Sequence, residues 1–120
     1  MPNFDANILR ELRKLDEVAI RTEKHPDNAV VIWIVVSDDQ VFVRSARGAK
    51  GRWYRDVAAG QHATLEFSGR RLAVNAIPAT DQASIDRVSH EYLRKYRTSA
   101  YARSVVRPDI LPTTLRLDPL

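Results

Sequence analysis

Two hydrophobic periods alternate along the chain. Phe4, Ile8, Leu12 and Leu15 recur three or four positions apart with Leu9 beside them, while Arg10, Arg13 and Lys14 fall on the other side. This spacing predicts an amphipathic helix over residues 1–15, capped by Asn3 or Asp5. The period drops to two over Glu17–Thr22, which reads as a short strand, and residues 23–28, with Pro26 and Asn28, read as a turn. Val30–Ser37 is nearly unbroken in β-branched residues and predicts a strand buried on both faces. Asp38-Asp39 forms a tight turn, and Gln40–Ser45 returns with Val41 and Val43 on one face and Phe42 and Arg44 on the other. A short helix around Trp53 to Ala59 stops at Gly60. Residues 63–67 and 70–77 make a second hairpin around Ser68-Gly69, and Pro78 ends its ladder. Residues 81–97 form a second amphipathic helix carrying Ile85, Val88, Tyr92 and Tyr96 on one face. Ser99 caps a shorter helix through Val106, Arg107-Pro108 breaks it, and residues 113–117 read as a closing strand.

Strand pairs joined by tight turns, with helices at the joints, give an α+β and mainly β fold. Six antiparallel strands can close into a barrel and hide their edges. No repeat, low-complexity tract or linker divides the sequence, so residues 1–120 are read as one domain: an N-terminal helix (1–15) and a barrel with its helices (16–118). There is no cysteine, which removes disulfides, thiolate metal sites and cysteine nucleophiles. The start lacks the basic and apolar regions of a signal peptide, and the longest apolar run, Ala29–Val36, is too short to cross a bilayer. The expectation is a cytoplasmic protein that does not enter a membrane.

The net charge is +4, which favours anionic partners, but placement matters more than the total. The stretch from Arg44 to Arg55 holds five cationic side chains (Arg44, Arg47, Lys50, Arg52, Arg55), two glycines and the Trp53-Tyr54 pair, with no acid before Asp56. A glycine-loosened cationic loop that opens a helix can hold phosphate through backbone N–H groups and arginines, while aromatic rings cover a flat ring system. The bland alternative is a solvated surface loop. Arg47, Lys50 and Arg52 are the favoured anion ligands; Arg44 can instead turn into an ion pair and Arg55 can decorate the helix. Trp53 and Tyr54 either flank a ligand ring or pack at the strand–helix joint. Trp33, Tyr92 and Tyr96 read as core. His25, His62 and His90 lie at no metal-ligand spacing, and no nucleophile-elbow pattern is present, so no metal and no catalytic residue is assigned. A nucleic-acid-binding module is a further reading of the basic loop, with Phe42 and Phe67 the only nearby stacking candidates.

From Val35 to Tyr54, a hydrophobic strand, a hairpin, a strand ending in Arg44-Ser45, a Gly/Lys/Arg loop and Trp53-Tyr54 on a short helix resemble the split-barrel flavin-binding superfamily. The nearest likeness is to a small bacterial group related to deazaflavin-dependent nitroreductases and pyridoxamine-phosphate-oxidase-like proteins. The resemblance implies a six-stranded split β-barrel, commonly a homodimer with cofactor near the subunit interface. It carries cofactor contact onto Ser45, Arg47, Lys50, Trp53 and Tyr54, to which the loop chemistry adds Arg52. Deazaflavin-using relatives place a Gly-Arg-Lys-Ser/Thr-Gly-type loop between their first two strands. Here residues 22–28 read Thr-Glu-Lys-His-Pro-Asp-Asn, with two acids more than that loop has and no glycine. FMN, with its single phosphate, is therefore favoured over a deazaflavin. The implied activity is reduction of a small organic acceptor; the alternative is a carrier of flavin, haem or another phosphorylated ligand without turnover.

Overall fold

The computed structural model describes residues 3–120. Helix α1 (Ala6–Lys14) opens on Asp5, whose carboxylate accepts from the Ile8 N–H at 2.9 Å, one of the two caps expected. Strand β1 (Glu17–Thr22) and β2 (His25–Trp33) form an antiparallel pair, followed after one residue by β3 (Val35–Ser37) and its partner β4 (Gln40–Val43). Helix α2 (Arg52–Gly60) leads into the hairpin β5 (His62–Phe67) and β6 (Arg70–Pro78). Helix α3 (Gln82–Lys95), capped by Asp81, is followed by two 3-10 turns and β7 (Leu115–Pro119).

The strands form one antiparallel sheet in the order β2-β1-β5-β6-β7-β4-β3. Its two edge strands, β2 and β3, are separated in sequence by Ile34 alone, so the sheet must curl until its edges meet. The described residues form an α+β fold with a curled, half-barrel sheet of seven strands and three helices. The expected count of six is corrected by one: the continuous strand predicted over residues 30–37 is broken at Ile34. Its first half pairs with β1 and its second with β4, and no straight strand can serve both ends of a curled sheet. The break is held by α3. The Ile34 N–H donates to Tyr96 Oη at 3.1 Å, and the Ile34 carbonyl accepts from Lys95 Nζ at 2.7 Å. Backbone groups that lose a ladder partner thus find side chains instead.

Other corrections follow from the same curl. Residues 25–28 belong to β2, not to a turn; Pro26 is tolerated because β2 is an edge and its register against β1 shifts between Ile20 and Thr22. Burial on both faces holds for Val35 and Val36 but not for Val31, which is 62% exposed on the edge strand. The left-handed residue that ends α2 is Gln61 (φ 68°), one position beyond the expected Gly60. Asp38 and Asp39 both take positive φ, the conformation a two-residue hairpin turn with matching twist requires. The closing strand begins at Leu115, later than expected, because Leu111–Thr113 is a 3-10 turn, and Ala102–Val106 is likewise a 3-10 turn.

Two apolar clusters result. Leu12, Ile20, Ile34, Leu65, Val74 and Leu117 fill the inside of the curl, with Trp53 and Val57 of α2 closing one end. Val35 and Phe42, on the opposite face of β3 and β4, pack under Val88, Tyr92 and Tyr96 of α3. The predicted alternation in β4 therefore decides which cluster each side chain joins: Val41 and Val43 go inside, Phe42 and Arg44 face α3.

Candidate cofactor cavity

The chain leaves β4 through Arg44 and Ser45 and folds back at once. The Ser45 hydroxyl donates to the Gly48 carbonyl at 2.7 Å, and the Ser45 N–H donates to Thr113 Oγ1 at 3.0 Å. Gly48 sits at φ +69°, a conformation that disfavours any side chain. Gly51 has an ordinary backbone, but a Cβ there would collide with Ser45 Oγ. The two glycines thus have different reasons, one conformational and one steric. Together they let the loop turn tightly onto the first turn of α2, whose N-cap, Gly51, offers no side-chain oxygen to its free N–H groups.

Beside this loop lies a cavity of about 630 Å³. One wall is the loop and helix start: Ser45, Arg47, Gly51, Arg52 and Trp53. An apolar part of the lining comes from β2, with Val30, Val31, Ile32 and Trp33. Tyr101, Ser104 and Val105 border a third side, and Arg44 and Glu17 complete the lining. Three arginines against one carboxylate leave the cavity positive.

Of the six residues expected at a cofactor, four line the cavity: Ser45, Arg47, Arg52 and Trp53. Lys50 is exposed and Tyr54 half-buried, and neither is part of the wall. Trp53 is also a core residue, which bears out the packing reading offered for it. Tyr54 packs against the same core, its ring edge-on to Trp53 at 6.3 Å. Tyr92 and Tyr96 are core, as expected. Trp33 departs from expectation: it is half-buried, stacked on Tyr96 at 4.0 Å, and forms cavity wall. The unbroken apolar run that made it look buried could not reveal that β2 is an edge.

Arg44 departs further. Among the described residues it has no acidic partner; its guanidinium donates to Thr114 Oγ1 (2.8 Å), Ser89 Oγ (2.9 Å) and the Val105 and Ile85 carbonyls (both 2.9 Å). It lies over the Tyr92 ring at 5.6 Å. Burial pulls its pKa below the ordinary arginine value, and burial pushes the Tyr92 hydroxyl up.

A second polar cluster was invisible in the sequence. Asp56 of α2 accepts from Thr22 Oγ1 at 2.7 Å and pairs with His25 Nδ1 at 2.6 Å. Burial opposes the Asp56 charge, but these two partners outweigh it and hold the carboxyl below its usual range. The cluster ties α2 to the β1–β2 turn and does not border the cavity. No sequence spacing joins residues 22, 25 and 56; only the packing of α2 against β1 does.

Residues 8–117 match a family described as an uncharacterized protein conserved in bacteria, DUF2255. The chain belongs to that family. No curated protein matches it. Solved structures do. An F420-H2 dependent reductase, FDR-A, is 14% identical with a TM-score of 0.62, over 86% of this chain and 94% of the reductase. HutZ, the haem storage protein of Vibrio cholerae, is 11% identical with a TM-score of 0.60, over 96% of this chain and 89% of HutZ. A pyridoxamine 5′-phosphate oxidase-like protein of Listeria innocua is 10% identical with a TM-score of 0.60, over 95% and 90%. The shared feature is the split-barrel fold, which is the fold that the resemblance over residues 35–54 implied.

Proposed function

We propose that this protein binds FMN in the cavity beside α2 and serves as a small flavin-dependent oxidoreductase. The observation that carries this reading is one cavity with two kinds of wall. Arg47, Arg52 and the uncapped start of α2 suit a phosphate, and the Val30–Ile32–Trp33 wall suits a flat, largely apolar ring. Ser45 and Gly51 shape the loop, Trp53 backs it, and Tyr54 supports Trp53 from the core side. Lys50, at the solvent tip, adds charge that draws the anion in without contacting it. When bound, a flavin supplies the redox chemistry; the chain's part is to fix the phosphate, exclude water from the ring and leave one ring face for an acceptor.

The β1–β2 hairpin, where the resemblance expects a deazaflavin loop, carries exposed Glu23 in its turn and exposed Asp27 in β2, and is tied down by the His25–Asp56 contact. That arrangement favours a cofactor with one phosphate over a long polyanionic tail. For a haem carrier the cavity wall offers, among the described residues, no His or Cys and only Tyr101 of the side chains that hold haem iron. Nucleic-acid stacking loses its platform, since Phe42 and Phe67 are both buried. A second copy of the chain, the partner implied by the resemblance, would cover exposed Val31 and Tyr101 at the cavity mouth.

A thermal-shift series with FMN, riboflavin, a deazaflavin cofactor, haem and pyridoxal phosphate tests the reading, alongside absorbance of the purified protein. FMN is expected to raise Tm by linkage, and Arg47→Ala/Arg52→Ala is expected to lose that rise while retaining the native fold. An equal shift with riboflavin, or an undiminished shift in the double variant, overturns the phosphate assignment.

A further inference from the structure

Arg44 is 3% exposed, yet every group that accepts from it is neutral. A buried guanidinium normally sits against a carboxylate, because a charge removed from water is expensive to leave uncompensated. Here two carbonyls and two hydroxyls solvate the cation without cancelling it. Arginine has five N–H groups, and four are engaged, leaving one on Nη2 outside these bonds. Arg44 and Val105 both belong to the cavity lining, and the Val105 carbonyl is 2.9 Å from Nη1, so the cation lies at that wall. This side is formed with the turn after α3 and differs from the wall of Arg52 and Trp53. The molecule therefore maintains a whole positive charge at the cavity in a low-dielectric setting, where its field is screened far less than that of a surface arginine.

We propose that Arg44 is the charge-selecting residue of the cavity: its uncompensated guanidinium adds to Arg47 and Arg52 in making the cavity prefer doubly charged phosphate monoesters to neutral analogues. The part concerning phosphate monoesters rests on the proposed cofactor reading; the positive potential itself does not.

The two tryptophans of the chain, Trp33 and Trp53, both line the cavity, so indole fluorescence can report that potential without any ligand. Trp33 also borders a smaller cavity with Lys95, so the measurement uses a Trp33→Phe background in which Trp53 is the single reporter. Quenching by iodide, caesium and neutral acrylamide is compared at constant ionic strength. The parent is expected to favour iodide over caesium after normalisation to acrylamide. Adding R47Q and R52Q keeps that preference, because Arg44 remains. Adding R44Q to that double variant lowers the iodide preference about two- to threefold, and R44K in its place preserves it. Loss of the preference in the R47Q/R52Q protein overturns the proposal even if the R44Q protein does not fold, since the surface arginines then supply the whole field. With FMN and riboflavin as probes, R44Q is expected to reduce the preference for FMN while R44K keeps it; an unchanged preference in folded R44Q overturns the selection claim. If FMN fails to bind the parent, the cofactor reading falls and so does the FMN part of this one, while the iodide result still decides whether Arg44 charges the cavity.

Discussion

The cations packed at α3 and those on the loop before α2 live under opposite rules. On the α3 side, Arg44 is buried and Lys95 half-buried, and both spend their N–H groups on fixed carbonyls and hydroxyls. On the α2 side, Arg47 and Lys50 stand exposed. Arg44 and Arg47 are three residues apart in one basic run, so composition cannot separate them. The pleat of β4 does. It places Arg44 on the face of Phe42, toward α3, whereas residues past Ser45 leave the strand and answer to solvent. A charge run is thus two devices: a root that holds the fold together and a tip that is free to meet a ligand.

The widest separation between root and tip is expected in stability. Arg44→Ala deprives two carbonyls and two hydroxyls of their donor and empties a packed site, and should cost about 3–4 kcal/mol in urea unfolding. Arg47→Ala should change stability by no more than about 0.5 kcal/mol. Equal costs for the two would erase the distinction between them.

The next effect lies where root passes into tip. The backbone of Gly51 is open to any residue, so the only objection to a side chain there is Ser45 Oγ. Gly51→Ala is expected to cost about 2 kcal/mol through this overpacking. Ser45→Ala alone should cost about 1 kcal/mol for its hydrogen bond to Gly48. Together they should cost less than their sum by more than about 0.5 kcal/mol, because the second change removes the obstacle to the first. Strict additivity in thermal melts would show that Ser45 is not what makes Gly51 glycine.

What the sequence made legible follows the length scale of each cause. Helices α1 and α3, the hairpins and the Asp5 cap come from neighbours within a few residues, and the pattern revealed them. The loop from Arg44 to Arg55 stood out because its glycines, arginines and aromatic pair crowd into one short stretch, and Ser45, Arg47, Arg52 and Trp53 of that stretch line the cavity. Features set by closure were not legible. Ile34 carries no breaker; it is interrupted because the curled sheet needs one strand to serve both of its edges, and its partners Lys95 and Tyr96 are more than sixty residues away. Trp33, Arg44 and the Thr22–His25–Asp56 cluster were misread or missed for the same reason. Each takes its role from a contact between elements that only the finished sheet brings together.

The smallest effect sharpens the comparison from the α3 side through pH. Burial, more than any other influence, lowers the Lys95 pKa to about 8, with Asp16 opposing. Below that pH the amine is protonated in both folded and unfolded chains. Between 8 and the ordinary value of 10.5 the unfolded chain binds the proton more tightly, so stability should rise with pH across this window. Tyr96 works in the other direction: burial raises it to about 12, so above its ordinary value of 10.0 the unfolded chain ionises first and stability falls. The lysine contribution is therefore visible between pH 8 and 10. Lys95→Met should flatten that rise, by about 1 kcal/mol or less given partial solvent screening, while Lys50→Met, at the exposed tip, should leave the slope of Tm against pH as it is. A rise that survives Lys95→Met would mean that Lys95 is as free as the cations of the loop, and that the latch at Ile34 is held by Tyr96 alone.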